Sequence, residues 1–187
     1  MSLPFEFLER RPIVIAIAGS NGAGKSTFFD TFFSDSSLRF VNADVLADRL
    51  DIDAYEAADL AAAIRSSLVS QGESFVFETV LSDPIGDKVS TLSNYVESGY
   101  TVVLIFIRLG NAKESIRRVA VRASQGGHDV PDEKLRARFA RTKANLERAI
   151  QQLPYVVVFD NSDLGEPFRL VEVYEHGKRV DDKQRDA

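Results

Sequence analysis

The chain alternates two hydrophobic periods. Ile13-Val-Ile-Ala-Ile-Ala18 is an unbroken apolar run, the pattern of a strand buried on both faces. Thr101 to Arg108 and Tyr155 to Phe159 repeat it, Ser74 to Glu78 is a shorter version, and Arg39 to Asn42 is shorter still. Between these runs apolar positions recur three and four apart, which predicts helices. One begins near Lys25, carries Phe28, Phe29, Phe32 and Phe33 inward, and ends at Ser34 to Ser37. The next follows a capping box of Asp53 and Glu56, presents Leu60, Ile64 and Leu68, and stops at Gly72 after Ser70. Others run from Asp83 to Glu97, from Ala112 to Ala123, and from Asp132 to Gln152 with Leu135, Phe139, Leu146 and Ile150 as its stripe. Gln125 to Pro131 is a loop, and Phe168 to Asp181 predicts a hairpin turning at His176-Gly177. Strands alternating with helices predict an α/β fold, a five-stranded parallel sheet covered on both faces. With no repeat or flexible linker, residues 1–187 read as one domain.

Composition narrows the chemistry. The chain has no cysteine and only two histidines, His128 and His176, which excludes a disulfide scaffold, thiol catalysis and a Cys- or His-rich metal site. No apolar run approaches the ~20 residues that span a bilayer, and the first residues lack the apolar core of a signal peptide, so a cytoplasmic location is expected, with no membrane partner. The net charge of −5 is uneven: residues 113–148 hold 10 Lys and Arg against 5 acids. An acidic body with one basic segment argues against a nucleic-acid partner and fits a local site for a compact anion such as phosphate. A solvated helix face laced with ion pairs is the plainer alternative.

One motif is specific. Gly19, Ser20, Asn21, Gly22, Ala23, Gly24, Lys25 and Ser26 match the phosphate-loop pattern G-x-x-x-x-G-K-S/T at every fixed position, between a buried strand and a helix. Backbone N–H groups of such a loop wrap phosphates, and the helix dipole adds to the attraction. Lys25 then reaches the β- and γ-phosphates while Ser26 ligates Mg²⁺.

In an open parallel sheet, ligands bind beyond the carboxyl ends of the strands. Asn42 and Asp44 follow the second strand, Glu78 and Thr79 the third, Arg108 the fourth, Asp160 and Asn161 the fifth. Carboxylates at neighbouring strand ends suit a small-molecule hydroxyl acceptor: one takes its proton, the other orders Mg²⁺ or the substrate. Each has a structural alternative, Asp44 as a helix N-cap above all. Asp160 and Asn161 stand where an adenine would be read. Arg118 and Arg122 share a helix face, and Arg136 and Arg138 lie beyond the loop, so two helices joined by a glycine-containing loop form an arginine-bearing lid. The alternative for these arginines is pairing with Asp132 or Glu133. His128 is a loop hydrogen-bonder or a substrate contact, and Asn145 a packing or surface polar residue. A competing function is an ATPase or nucleotide-dependent switch that acts on a protein partner.

These pieces together resemble a known family. Gly19 to Thr27, Val41-Asn-Ala-Asp44, Phe77-Glu-Thr79 with Leu81-Ser82, Arg118 with Gly126-Gly-His-Asp-Val-Pro131, and Asp160-Asn-Ser162 are similar to zeta-toxin-like P-loop kinases, and within them to a bacterial group often labelled predicted ABC-type ATPase. Val80 stands where relatives often carry a second threonine. The resemblance implies a three-layer P-loop NTPase with an adenylate-kinase-like sheet, and ATP-dependent phosphorylation of a hydroxyl. It implies catalytic Lys25, Asp44, Arg118, Arg122 and Arg138, and a nucleotide site over Gly19 to Thr27 with Asp160 and Asn161. Together with the strand-end reading, the candidate substrate contacts are Asn42, Glu78, Thr79, His128 and Arg136, and the candidate Mg²⁺ ligands Ser26 and Glu78. Zeta toxins act on UDP-N-acetylglucosamine and are silenced by an antitoxin, so a nucleotide-containing acceptor and an antitoxin partner are implied as well.

Overall fold

The computed structural model describes residues 3–126 and 130–180. Seven strands form one sheet in the order β2-β3-β1-β4-β5-β6-β7. The central strand β1 (Ile13–Gly19) is buried at all seven positions, as its unbroken apolar run requires. It pairs in parallel with β3 (Phe75–Thr79) and β4 (Thr101–Arg108). Beyond them lie β2 (Arg39–Val41) and β5 (Tyr155–Asp160), also parallel. The five-stranded parallel sheet is therefore present, but the whole sheet has seven strands, not five. The C-terminal hairpin, β6 (Arg169–Glu175) and β7 (Lys178–Arg179), continues it antiparallel to β5 and turns at His176-Gly177.

Alternation along the strands sends side chains to two cores. One face packs Val14, Ala16, Ala18, Leu104, Phe106 and Val156 against α3 (Ala54–Ser70), α4 (Asp87–Glu97) and α6 (Asp132–Gln152). The other packs Ile13, Ile15, Ile17, Ile105 and Ile107 against Phe28 and Phe33 of α1 (Lys25–Phe32) and its C-cap. Each buried Val, Ile, Leu or Phe among them contributes ~1.5–3 kcal/mol, so the sheet fixes its strand ends firmly. Phe28 is enclosed by Phe32, Phe33, Phe159 and Phe168, whereas Phe29 and Phe32 are only half-buried.

The Asp53/Glu56 capping box forms at the start of α3, with Asp53 accepting from the Tyr55 and Glu56 amides at 2.7 and 3.0 Å. Several expected boundaries move, most by one residue. The helix read from Asp83 starts at Asp87, because Leu81 to Gly86 form a turn with Leu81 in the left-handed region at φ 55°. The third strand is shifted one residue, to Phe75–Thr79. A further helix, α2 (Ala43–Leu50), fills the stretch between Asn42 and the capping box. It is only two turns long, and Ala43 and Leu46 pack half-buried against the core, so its stripe is short and weak.

Candidate active site

The phosphate loop joins β1 to α1, where local sterics choose the residues. A Cβ on Gly19 would lie 2.5 Å from the Ile107 carbonyl oxygen, so the loop leaves the sheet against the backbone of β4. Gly24 has φ +93°, and a Cβ there would lie 2.7 Å from the Asn161 amide nitrogen. Ser115 at the start of α5 (Ala112–Ser124) donates its hydroxyl to the Asn21 carbonyl at 2.6 Å. Asn161 donates its amide to the Ala23 carbonyl at 2.8 Å. The loop is thus braced from the ends of β5 and α5 before any phosphate arrives.

A cavity of about 630 Å³ runs from this loop across the ends of β2 and β3. Its phosphate end holds Asn21, Gly22, Gly24, Lys25, Ser26, Thr27, Arg118 and Arg122. Its far end is made by Asn42 to Asp44, Phe77 to Val80, and residues of α3 and α4. Lys25 donates to the Ser20 carbonyl at 3.3 Å. Its enclosure lowers its pKa, against the pull of Glu78 and Asp44, and Arg122 and Lys88 lower it further. Glu78 is raised by burial, which outweighs the attraction of Lys25 and of the Ser26 hydroxyl beside it. One Glu78 oxygen, Oε1, is buried with no partner. Lys25, Ser26, Asp44 and Glu78, from three different strand ends, therefore share one compartment.

That orphaned carboxylate oxygen next to the Ser26 hydroxyl is the donor chemistry that suits Mg²⁺, a hard cation content with one or two protein oxygens and the rest from phosphates and water. Among the described residues no three His, Cys, Asp or Glu cluster as a metal site, so the protein supplies part of a coordination shell and no closed cage.

The cap of α2 is Asn42, whose Oδ1 accepts from the Asp44 and Val45 amides at 2.8 and 3.4 Å. Asp44 is therefore free of the capping role and lies in the first turn, exposed to the cavity. Asn42 lines the cavity too, with one oxygen already engaged as the cap. Thr79 accepts from the Leu81 amide at 3.2 Å and lines the wall.

The polar residues at the end of the fifth strand already have partners within the protein. Asp160 pairs with Arg108 at 3.2 Å and accepts from the Ser162 amide at 2.8 Å. Burial opposes its ionisation, yet these partners hold its pKa below the ordinary value. Neither Asp160 nor Asn161 lines the cavity, because the first is consumed by Arg108 and the second braces the phosphate loop.

The arginines divide. Arg118 bonds Glu114 at 2.6 Å and the Asn161 carbonyl at 2.7 Å, so it is a strut between α5 and β5 that also faces the cavity. Hydrogen bonds from Arg117 and Arg118 depress the Glu114 carboxyl to about 2. Arg122 lines the cavity and is exposed, with no carboxylate in ion-pair distance among the described residues. Arg138 is half-buried near Lys88 outside the cavity lining, and Arg136 is exposed and does not reach it. The two lid helices are not a separate flap: Val119, Leu135, Thr142, Leu146 and Ala149 seat them in the body. His128 lies outside the described residues.

Sequence reasoning missed Arg65 and Lys88, and of its two readings of Asn145 the structure bears out the packing one. Asn145 of α6, 1% exposed, donates to the Leu81 and Asp83 carbonyls at 3.0 and 2.9 Å and holds the turn that follows Glu78 and Thr79. Arg65 of α3 lies over the Phe77 ring, 4.9 Å from its centroid, and Lys88 of α4 stands across the cavity. No sequence motif marks them; only the fold brings these helix faces to the strand ends.

No curated protein sequence matches the chain. Solved structures do. A chain of the AvrRxo1-ORF1:AvrRxo1-ORF2 complex with sulphate ions superposes with a TM-score of 0.71 at 19% identity, over 92% of this chain and 61% of that one. This protein thus spans less than two thirds of that relative. A structure of the PezAT chromosomal toxin-antitoxin system of Streptococcus pneumoniae gives 0.65 at 17% identity, covering 87% and 72%. Shikimate kinase from Bacteroides thetaiotaomicron gives 0.52 at 16%, covering 82% and 89%. At these identities the likeness is one of fold alone. The zeta toxin profile matches residues 47–167, well over half of the sequence, and with the phosphate loop and strand-end carboxylates in place the chain belongs to the zeta toxin family.

Proposed function

We propose that this protein is an ATP-dependent phosphotransferase that moves the γ-phosphate to a hydroxyl of a small molecule. The observation that carries the reading is the shared compartment: Asp44 faces the same cavity as the phosphate loop, and space lined by α3 and α4 remains beyond it for an acceptor. Lys25 and the loop amides hold the phosphates, and Ser26 with Glu78 holds Mg²⁺, which neutralises phosphate charge when bound. The acceptor hydroxyl gives its proton to Asp44 as its oxygen bonds to phosphorus and ADP departs. Arg122 steadies the charge on the transferred group. Arg118 acts by fixing the loop. Zeta toxin membership supports a nucleotide-containing acceptor, such as a nucleotide sugar, and an antitoxin as protein partner. A site in the cytoplasm, where ATP is plentiful, accords with this use.

Incubation of the protein with ATP·Mg²⁺ and a metabolite extract tests the proposal. Mass spectrometry should reveal a new phosphorylated species, with ADP release stimulated by the extract. Unstimulated ATP hydrolysis and no new species would overturn it in favour of water as acceptor.

A further inference from the structure

The charges along the cavity are unequal in kind. Lys25, Arg118 and Arg122 gather at the phosphate end, where a nucleotide's own charge would meet them. Asp44 and Glu78 line the same cavity with a second pair of cations, Arg65 of α3 and Lys88 of α4. Neither belongs to the phosphate loop or to the arginine-bearing helix α5.

Among the described residues three arginines have carboxylate partners within 4 Å: Arg108 has Asp160 and Glu172, and Arg117 and Arg118 share Glu114. Among the described residues no carboxylate lies within ion-pair distance of Arg65 or Lys88. Arg65 is oriented nonetheless. Its guanidinium carbon sits 4.9 Å from the Phe77 centroid, and stacking of this kind holds one face while leaving the N–H edges free to donate. Lys88 stands in the first turn of α4, with Asp83 as its nearest opposing charge and Arg65 and Arg138 as like charges. The wall between them is small or apolar, with Ala58, Ala61, Phe77 and Leu92. Two unpaired cations above an apolar floor, beside a carboxylate placed to accept a proton, are built for a compact anion.

We infer that Arg65 and Lys88 seat an anionic group of the acceptor, so that the substrate is a hydroxyl compound carrying its own phosphate or carboxylate. The inference rests on the phosphotransferase reading for the word acceptor, but the anion seat itself does not depend on it. Arg65 contributes a flat pair of donors that suits two oxygens of one anion, and Lys88 a point charge from the opposite wall. With the anion held there, the hydroxyl end of the molecule is directed toward Asp44.

The test separates the seat from the transfer. The protein is saturated with a non-hydrolysable ATP analogue and Mg²⁺, so that the phosphate loop is filled. It is then titrated with inorganic phosphate and, separately, with acetate, followed by NMR. Wild type should show saturable binding of at least one anion, and the preferred one identifies phosphate or carboxylate. Arg65→Gln and Lys88→Gln should each weaken it about tenfold or more, since a charge-assisted contact is lost, and Lys88→Arg should restore most of it. Affinity for the ATP analogue should stay unchanged. Equal anion affinity in wild type and both variants, or no saturable binding of either anion, would overturn the inference. So would variants that lose stability in urea while keeping anion affinity, because Arg65 would then only stack and Lys88 only offset Asp83. Once an extract yields a phosphorylated product, the same variants should raise its KM about tenfold with kcat largely kept. A product whose parent bears no anionic group would also refute the seat. Anion binding lost in the variants, with no product from the extract, would support the seat and count against transfer.

Discussion

Asn145→Ala tests whether α6 organises the acceptor side of the site. Its amide nitrogen serves the Leu81 and Asp83 carbonyls, and its Oδ1 accepts from Arg148 at 2.9 Å. Leu81 is fully buried and left-handed, a conformation that costs a non-glycine residue ~1–2 kcal/mol and persists only where the surroundings enforce it. Truncation leaves two carbonyls without their donor, at ~1–3 kcal/mol each when water cannot replace it. Arg141 still donates to the Ser82 carbonyl at 2.7 Å, so the turn keeps one anchor and the loss falls at about 2–4 kcal/mol in total. With a urea slope of ~2 kcal/mol/M, the unfolding midpoint should drop by roughly 1–2 M. The functional effect should be one-sided. The turn follows Glu78 and Thr79 directly but does not touch the phosphate loop, so acceptor turnover should fall while ATP affinity stays within about twofold. A midpoint within ~0.3 M of wild type, or equal losses in ATP binding and acceptor turnover, would refute the reasoning.

Other substitutions probe separate parts. Arg122→Ala should cut phosphoryl transfer by roughly 10²-fold or more with ATP affinity nearly intact, whereas Arg118→Ala should lower both thermal stability and ATP affinity, as calorimetry and kinetics on the two proteins would show. Glu78→Gln should raise the melting temperature of the nucleotide-free protein at neutral pH. Its carboxyl is raised in the fold, so its ionisation opposes folding once the pH exceeds the ordinary 4.5, and the gain should fade in scans below that pH. Glu114→Gln should do the reverse: a carboxyl held at about 2 stabilises the fold above its ordinary 4.5 and loses that contribution as pH falls toward 2, so urea midpoints of variant and wild type should converge on acidification.

The legible part of this molecule is the part that periodicity and local chemistry dictate. The buried runs gave every parallel strand to within about a residue, and the glycines of the phosphate loop gave its place between β1 and α1. Helix α2 escaped because its two turns leave only a short half-buried stripe, and the turn at Leu81 escaped because its conformation is held by Asn145, 64 residues away. The same limit applies to the strand-end polar residues. Being at the right end of a strand placed Asp44 and Glu78 in the cavity, but Asp160 and Asn161 occupy an equivalent position and are consumed by Arg108 and the Ala23 carbonyl. Which polar groups stay free depends on partners that only tertiary packing supplies. Arg118 and Arg122 look equivalent as an i,i+4 pair, and Glu114 together with the Asn161 carbonyl separates them into a strut and a free charge.

The central claim is that Asp44 takes the acceptor's proton. Asn42 already caps α2, so Asp44→Asn removes charge and basicity without removing a cap. The direct measurement is transfer of labelled γ-phosphate from ATP into the phosphorylated species found in the extract, wild type against Asp44→Asn. The account predicts normal folding and ATP binding, with transfer reduced by about 10²–10⁴-fold. Comparable transfer by the two proteins would contradict it.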